Sequence, residues 1–238
     1  MTVSGAPEIE IAALDRTEIV FEPWSWRFAA ERRDEIDRHF AEVRRRRPGV
    51  WNGRILLLRP YQAAGAVLRG ACFEADYASF CAWRDWNFPD PNVYNVFAAA
   101  ALRSADGAFV VGEMAASTFN AGLLTFPCGT PERADLDAAG FLDLDVNLGR
   151  ELREETGLRI EELTATAGWT MVRDRRYLGL IRQVLVPIDA EALRMRIVRN
   201  LASEPSPEFV GIRLLRSPRD LDGAMPAFVT AYLRQVWS

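Results

Sequence analysis

The sequence predicts an α/β protein: an α/β/α sandwich on a mixed sheet, preceded by an N-terminal α+β extension. Three observations predict it. Over the second half of the chain, strand-like apolar stretches are interleaved with amphipathic helical ones. Val93 to Leu102 is a near-continuous apolar run, the pattern of a central strand covered on both faces. The turn-rich break Asn87-Phe88-Pro89-Asp90-Pro91 sets this part off from an earlier group of elements. The expected division is therefore an extension over residues 1–91 and a main domain over 92–238.

Residues 1–16 are weakly patterned. Glu18 to Glu22 alternates enough for a short strand, stopped by Pro23. From Trp26 to Arg47 the pattern is helical, with Phe28, Ile36, Phe40 and Val43 as apolar marks. It ends in four arginines, Arg44 to Arg47; cations there complement the helix dipole, which is favoured over nucleic-acid binding. Arg54 to Arg59 and Ala66 to Phe73 read as a hairpin across Pro60-Tyr61, and Asp76 as the cap of a helix through Tyr77, Phe80, Cys81 and Trp83. In the main domain, Asp106-Gly107 turns the central strand back into Phe109 to Glu113, and Leu123 to Phe126 delivers the loop Pro127-Cys128-Gly129. An acidic helix capped by Asp145 or Asn147 ends at Gly157. Leu163 to Val172 and Leu178 to Pro187 pair as strands across Arg173-Asp174-Arg175-Arg176. Ala190 to Leu201 is an amphipathic helix with Leu193, Ile197, Val198 and Leu201 as its buried stripe. A strand over Phe209 to Leu215 and a helix from Met225 to Val236 close the chain.

Composition excludes several classes of function. All 29 basic residues are arginine, so neither Schiff-base chemistry nor a phosphate-loop lysine is available. A net charge of −4 gives no general reason to expect nucleic acid or an anionic membrane as partner. Cys72, Cys81 and Cys128 lack metal-site spacing and fit a reducing cytoplasm. No apolar run approaches a membrane span, and Met1 to Gly5 does not open a signal peptide. His39, the lone histidine, lies in a charged helix without a Gly-x-Ser-x-Gly elbow elsewhere, which argues against Ser-His-Asp catalysis.

The chemistry concentrates in Arg150-Glu151-Leu152-Arg153-Glu154-Glu155-Thr156-Gly157-Leu158. Glu151, Glu154 and Glu155 stand at i, i+3 and i+4, on one face of a helix. Like charges so placed repel, and a divalent cation between them reverses the sign. Carboxylates are hard donors suited to Mg²⁺ or Mn²⁺. Arg, three Glu and Gly at this spacing match by chance on the order of once in a million starting positions. The string resembles the latter half of the Nudix box, R-E-aliphatic-x-E-E-x-G-aliphatic, letter for letter.

The former half departs from it. The box asks for a glutamate eight residues before Arg150, where Leu142 stands, and for a glycine fourteen before, where Leu136 stands. Gly129 is the expected counterpart of that glycine, but it lies twenty-one residues before Arg150. Glu132, Asp137, Asp143 and Asp145 are the candidates for the missing acid.

The resemblance implies a Nudix-like sandwich and a hydrolase of nucleoside diphosphates linked to another group, dependent on Mg²⁺ or Mn²⁺. By the same resemblance Glu154 and Glu155 are the principal metal ligands, Glu151 is a further ligand or the base, and Arg150 orients a neighbouring carboxylate. Glu113, Asp174 and Glu208, at strand ends or loops, could supply another acid. Arg173, Arg175, Arg176 and Arg182 are candidate grips on phosphate. Trp51-Asn52-Gly53 and Asp76-Tyr77-Ala78-Ser79-Phe80 resemble the extension of a divergent Nudix branch acting on UDP-glucose and related UDP-sugars. This implies substrate contacts from Trp51, Asn52 and Tyr77, beside Gly129 and Arg173. The alternatives are other diphosphates (acyl-CoA, NADH, damaged nucleotides) and a Nudix-fold module that senses a nucleotide without cleaving it.

Overall fold

The computed structural model describes residues 9–238, so the expectation for Met1 to Gly5 lies outside it. The first described elements are β1 (Glu10–Leu14) and β2 (Arg16–Phe21). The weakly patterned start is thus partly a strand. Only Leu14 of β1 is buried, so backbone pairing with Trp169–Asp174 selects the strand and little apolar alternation is needed. The single helix expected over Trp26–Arg47 is broken at Arg32 into α1 (Arg27–Glu31) and α2 (Arg33–Arg46). On one straight helix Phe28 and Ile36 would point about 80° apart; the break lets both enter the same core.

Strands β3 (Arg54–Leu58), β4 (Gln62–Ala64) and β5 (Val67–Asp76) follow. They form a four-stranded sheet with β2 parallel to β5, and β3 and β4 antiparallel to it. Asp76 caps α3 (Tyr77–Asp85) by accepting from the Ser79 amide at 2.9 Å, as expected.

Strands β6 (Asn95–Ser104), β7 (Phe109–Met114), β8 (Leu124–Thr125) and β9 (Cys128–Gly129) lead to the acidic helix α4 (Leu144–Thr156). Then come β10 (Thr164–Ala165), β11 (Trp169–Asp174), β12 (Tyr177–Val186), α5 (Ala190–Leu201), β13 (Phe209–Leu215) and α6 (Ala227–Val236). The main sheet runs β1-β11-β12-β6-β7-β13, with β8, β9 and β10 pairing alongside. It is mixed, because β12 and β6 are parallel while the other pairs are antiparallel.

Alternation along β6 explains the layers. Val96, Ala98, Ala100 and Leu102 enter a core with Leu148 and Leu152 of α4 and Leu193 and Ile197 of α5. Phe97, Ala99 and Ala101 enter another with Val229, Tyr232 and Leu233 of α6. Helices therefore cover both faces, as the apolar run predicts. Val198 departs from the expected stripe of α5 and is exposed. Strand β3 alternates likewise: Ile55 and Leu57 join an aromatic core with Trp26, Phe73 and Trp83, whereas Leu56 and Leu58 join the core of the main sheet. The Leu56 amide donates to the Pro131 carbonyl at 2.7 Å, so the extension is tied to the loop before the acidic helix.

Candidate active site

Helix α4 starts one turn earlier than Asn147: Asp143, not Asp145 or Asn147, accepts the amides of Asp145 and Val146 at 2.9 and 3.1 Å. Gly157 ends the helix with φ +71, a left-handed position at which a Cβ would overlap the Asn200 side chain. Between these caps, Leu148 and Leu152 bury one face and the acids hold the other.

Arg150 organises that face. Its Nε and Nη2 donate to the two carboxylate oxygens of Asp135 at 3.1 and 2.8 Å. Its Nη1 lies 2.8 Å from Glu151 and 3.2 Å from Glu154. Asp135 is fully buried and also accepts from Asn147 Nδ2 at 3.1 Å and from the Glu132 amide at 2.9 Å. A bidentate pair closed on every side is rigid, so it fixes where Arg150 presents its free edge.

Asp135 is thus the upstream acid that pairs bidentately with Arg150, a pairing that none of the four candidates makes. Glu132 forms a reciprocal cap with Asp135 and stays 3.9 Å from Arg150. Asp137 accepts the Ala139 and Phe141 amides of its own turn. Asp143 caps the helix, and Asp145 pairs with Arg182. Asp135 lies fifteen residues before Arg150, and the turn from Asp137 to Gly140, closed by the Leu136–Leu142 bridge, takes up the extra residues. No linear pattern encodes that detour.

A cleft of about 480 Å³ opens beside this face. Glu151, Glu155 and Glu208 lie on its wall. Burial is the main influence on all three and raises their pKa values. Glu151 is pushed up to about 8, with the Arg150 charge opposing. Glu155, 2% exposed, is held well above the usual range, reinforced by the charges of Glu151 and Glu208. Glu208 is raised with help from Glu154. The Cys128 amide donates to Glu155 at 2.8 Å, anchoring β9 to the helix. At Gly129 a Cβ would overlap the Glu151 carboxylate, so the close approach requires glycine.

This donor set suits a hard divalent cation: several mutually repelling carboxylates, of which Glu151 and Glu155 are enclosed. Among the described residues no three His, Cys, Asp or Glu side chains form a ready-made metal cage.

The other expected residues divide. Tyr77 and Gly129 line the cleft, as do Glu208 and Asp174. Glu154 points outward, its side chain 58% exposed, and pairs with Arg150. Three expected substrate contacts, Trp51, Asn52 and Arg173, are not among the residues that line this cleft. Trp51 is 79% exposed. Asn52 accepts the Ala78 amide at 2.8 Å, and the Tyr77 amide donates to the Gly53 carbonyl at 2.9 Å. The two strings of the extension thus form one joint at the start of α3. Arg173 is spent on Glu10, 2.7 Å away across the β1–β11 pair. Arg175 binds Asn87, Arg176 donates to the Tyr94 hydroxyl, and Arg182 pairs with Asp145 over the Trp169 ring. Glu113 is exposed on β7. The arginine on the cleft wall is Arg84, which did not stand out in the sequence. Its signal was there: Tyr77, Phe80 and Arg84 fall at i, i+3 and i+7 along α3.

No protein-family model matches the chain, and no curated protein matches it. Solved structures overlap part of it. A Nudix hydrolase from M. smegmatis covers 60% of this chain and 88% of its own at 16% identity, with a TM-score of 0.40. A MutT protein from Methanosarcina mazei covers 60% and 91% at 16% identity and a TM-score of 0.38. A structure described as a putative nudix hydrolase family member, from Chromobacterium violaceum, covers 60% and 76% at 22% identity and 0.38. At such identities and TM-scores the similarity is one of outline and assigns no chemistry to this chain.

Proposed function

We propose that the protein is a Nudix-type hydrolase, dependent on Mg²⁺ or Mn²⁺, that cleaves a nucleoside diphosphate linked to another group. The finer proposal is a nucleotide sugar such as UDP-glucose, giving nucleoside monophosphate and sugar phosphate. One observation carries the reading: the enclosed Glu151 and Glu155, with the exposed Glu208 beside them, line a cleft that Tyr77, Phe80, Phe97, Tyr177 and Phe228 also line. Acids that repel one another serve a cation, and rings beside them serve a base or a sugar face.

In hydrolysis a water oxygen adds to one phosphorus and the bond from that phosphorus to the bridging oxygen breaks. The bridging oxygen leaves on the other phosphate, and the water proton passes to a carboxylate. Glu151, at the cleft, is the candidate for that last role or for a further metal ligand. When bound, the divalent ion neutralises phosphate oxygens and makes its water more acidic. Glu155 would hold it from the cleft wall together with Glu154, and Glu151 would be a further ligand or the base. Arg150, locked on Asp135, keeps the two outer glutamates in register. In this reading residues 92–238 carry the reaction and residues 1–91 cover the substrate, with Tyr77 and Gly129 in contact with it. The three free cysteines fit a reducing cytoplasm, and no described helix is long and apolar enough to cross a membrane.

The test is incubation with Mg²⁺ and a panel of UDP-sugars, ADP-ribose, NADH and acyl-CoA. UDP-sugars should release UMP. Turnover of another member alone would keep the hydrolase and discard the nucleotide sugar. The outward pose of Glu154, 58% exposed and paired with Arg150, favours a second reading, a nucleotide-sensing module. Tight binding of UDP-glucose with no product from any compound would select it.

A further inference from the structure

The cleft wall carries four acids, Glu151, Glu155, Asp174 and Glu208, but one cation, Arg84. Arg84 comes from α3 of the extension, whereas Glu151 and Glu155 come from α4 of the main domain. Arginine is seldom so enclosed: the Arg84 side chain is 14% exposed. Its surroundings hold it in one pose. Nε and Nη2 donate to Asp85 Oδ1 at 3.2 and 3.1 Å. The Phe119 ring lies against the guanidinium, 3.2 Å from its central carbon to the ring centroid, and Phe80 flanks it at 5.8 Å. Asp85 is fixed in turn by His39 Nε2 at 2.9 Å. One edge of the guanidinium is therefore occupied and its faces are covered by rings. The Tyr77 and Tyr177 side chains line the cleft with it.

A diphosphate carries negative charge on both phosphorus centres. The acidic wall can accept only the one bridged to it by a cation, and an unassisted second phosphate would face Asp174 and the other acids. From these placements we infer that Arg84 is the anchor for the substrate phosphate farther from the acidic helix. It selects compounds with two linked phosphates over those with one. Planar guanidinium geometry suits phosphate oxygens, and the pose set by Asp85 and Phe119 lowers the cost of ordering it on binding. The inference rests on the diphosphate reading of the cleft.

The test separates the two. Binding of UDP and of UMP to the full chain is measured by calorimetry with EDTA present, so that no divalent ion takes part; hydrolysis of the substrate panel with Mg²⁺ is measured apart. Wild type should bind UDP more tightly than UMP. Arg84→Gln should weaken UDP at least tenfold and UMP little, and Arg84→Lys should restore part of the loss. Among substrates that turn over, Arg84→Gln should raise KM at least tenfold with kcat changed much less. Equal UDP affinity in wild type and Arg84→Gln overturns the inference, and so does a wild type that does not discriminate UDP from UMP. An equal loss of UDP and UMP also overturns it, since that marks a damaged cleft. If UDP binding depends on Arg84 but no panel member is cleaved, the anchor stands and the hydrolase reading fails.

Discussion

Glu155 is buried with a backbone amide as its hydrogen-bond donor and two other carboxylates nearby. A carboxyl with a raised pKa holds its proton in the folded protein at a pH where the unfolded chain has released it. Its stabilising contribution is complete below the ordinary value of 4.5 and is lost as pH rises; for Glu151 the loss runs up to about 8. Glu155→Gln, which can still accept from Cys128, should therefore raise Tm at pH 8 and leave it nearly unchanged at pH 4. Turnover of the cleaved substrate should fall on the order of a hundredfold or more. Mg²⁺ should raise the wild-type Tm at pH 8, since an ion that binds only the folded chain stabilises it, and should not do so in the variant. Thermal melts at both pH values, with and without Mg²⁺, check the stability changes, and steady-state kinetics checks the turnover. Asp135→Asn leaves Arg150 facing a neutral, fully buried amide. Breaking such a pair costs on the order of 3 kcal/mol, which urea unfolding measures. The three helix glutamates were legible in the sequence because i, i+3 and i+4 place them on one face whatever surrounds them. Asp135 was not, because its partnership depends on a turn between it and Arg150.

Among elements, the approach of β9 to α4 sets the cleft wall. Gly129 lets the Glu151 carboxylate lie against the backbone, so Gly129→Ala should push that carboxylate aside. We expect kcat/KM to fall by about tenfold or more, because small displacements of a positioned group are costly to rate. Steady-state kinetics on the best substrate gives the answer, and an unchanged value would deny Glu151 its place. The acidic helix and most strands were readable from periodicity. The cap of that helix was not: Asp143, Asp145 and Asn147 are all good cap residues, and the entry of the chain from the Asp135 turn decides among them. The break at Arg32 was hidden for a similar reason, since side chains of one core can come from two short helices or from one bent long one.

For the whole molecule, residues on the two sides of the expected 91/92 boundary share one core and one sheet. Ile19, Leu56, Leu58 and Leu68 of the extension share a core with Val96 and Leu142, and β1 forms an edge of the main sheet. Residues 92–238 expressed alone should therefore lose cooperative unfolding or aggregate, as size-exclusion chromatography and a CD melt would show. A monodisperse, cooperatively melting fragment would contradict this. The sequence by itself determined the α/β class, the central strand and the acidic helix, because each rests on periodicities within one element. Only the tertiary structure decided that Asp135 holds Arg150, that Glu208 joins Glu151 and Glu155, that Arg84 faces the cleft, and that Trp51, Asn52 and Arg173 do not. Those are meetings between residues of distant segments, and what a side chain meets across a fold is set by packing and turns that no local spacing records.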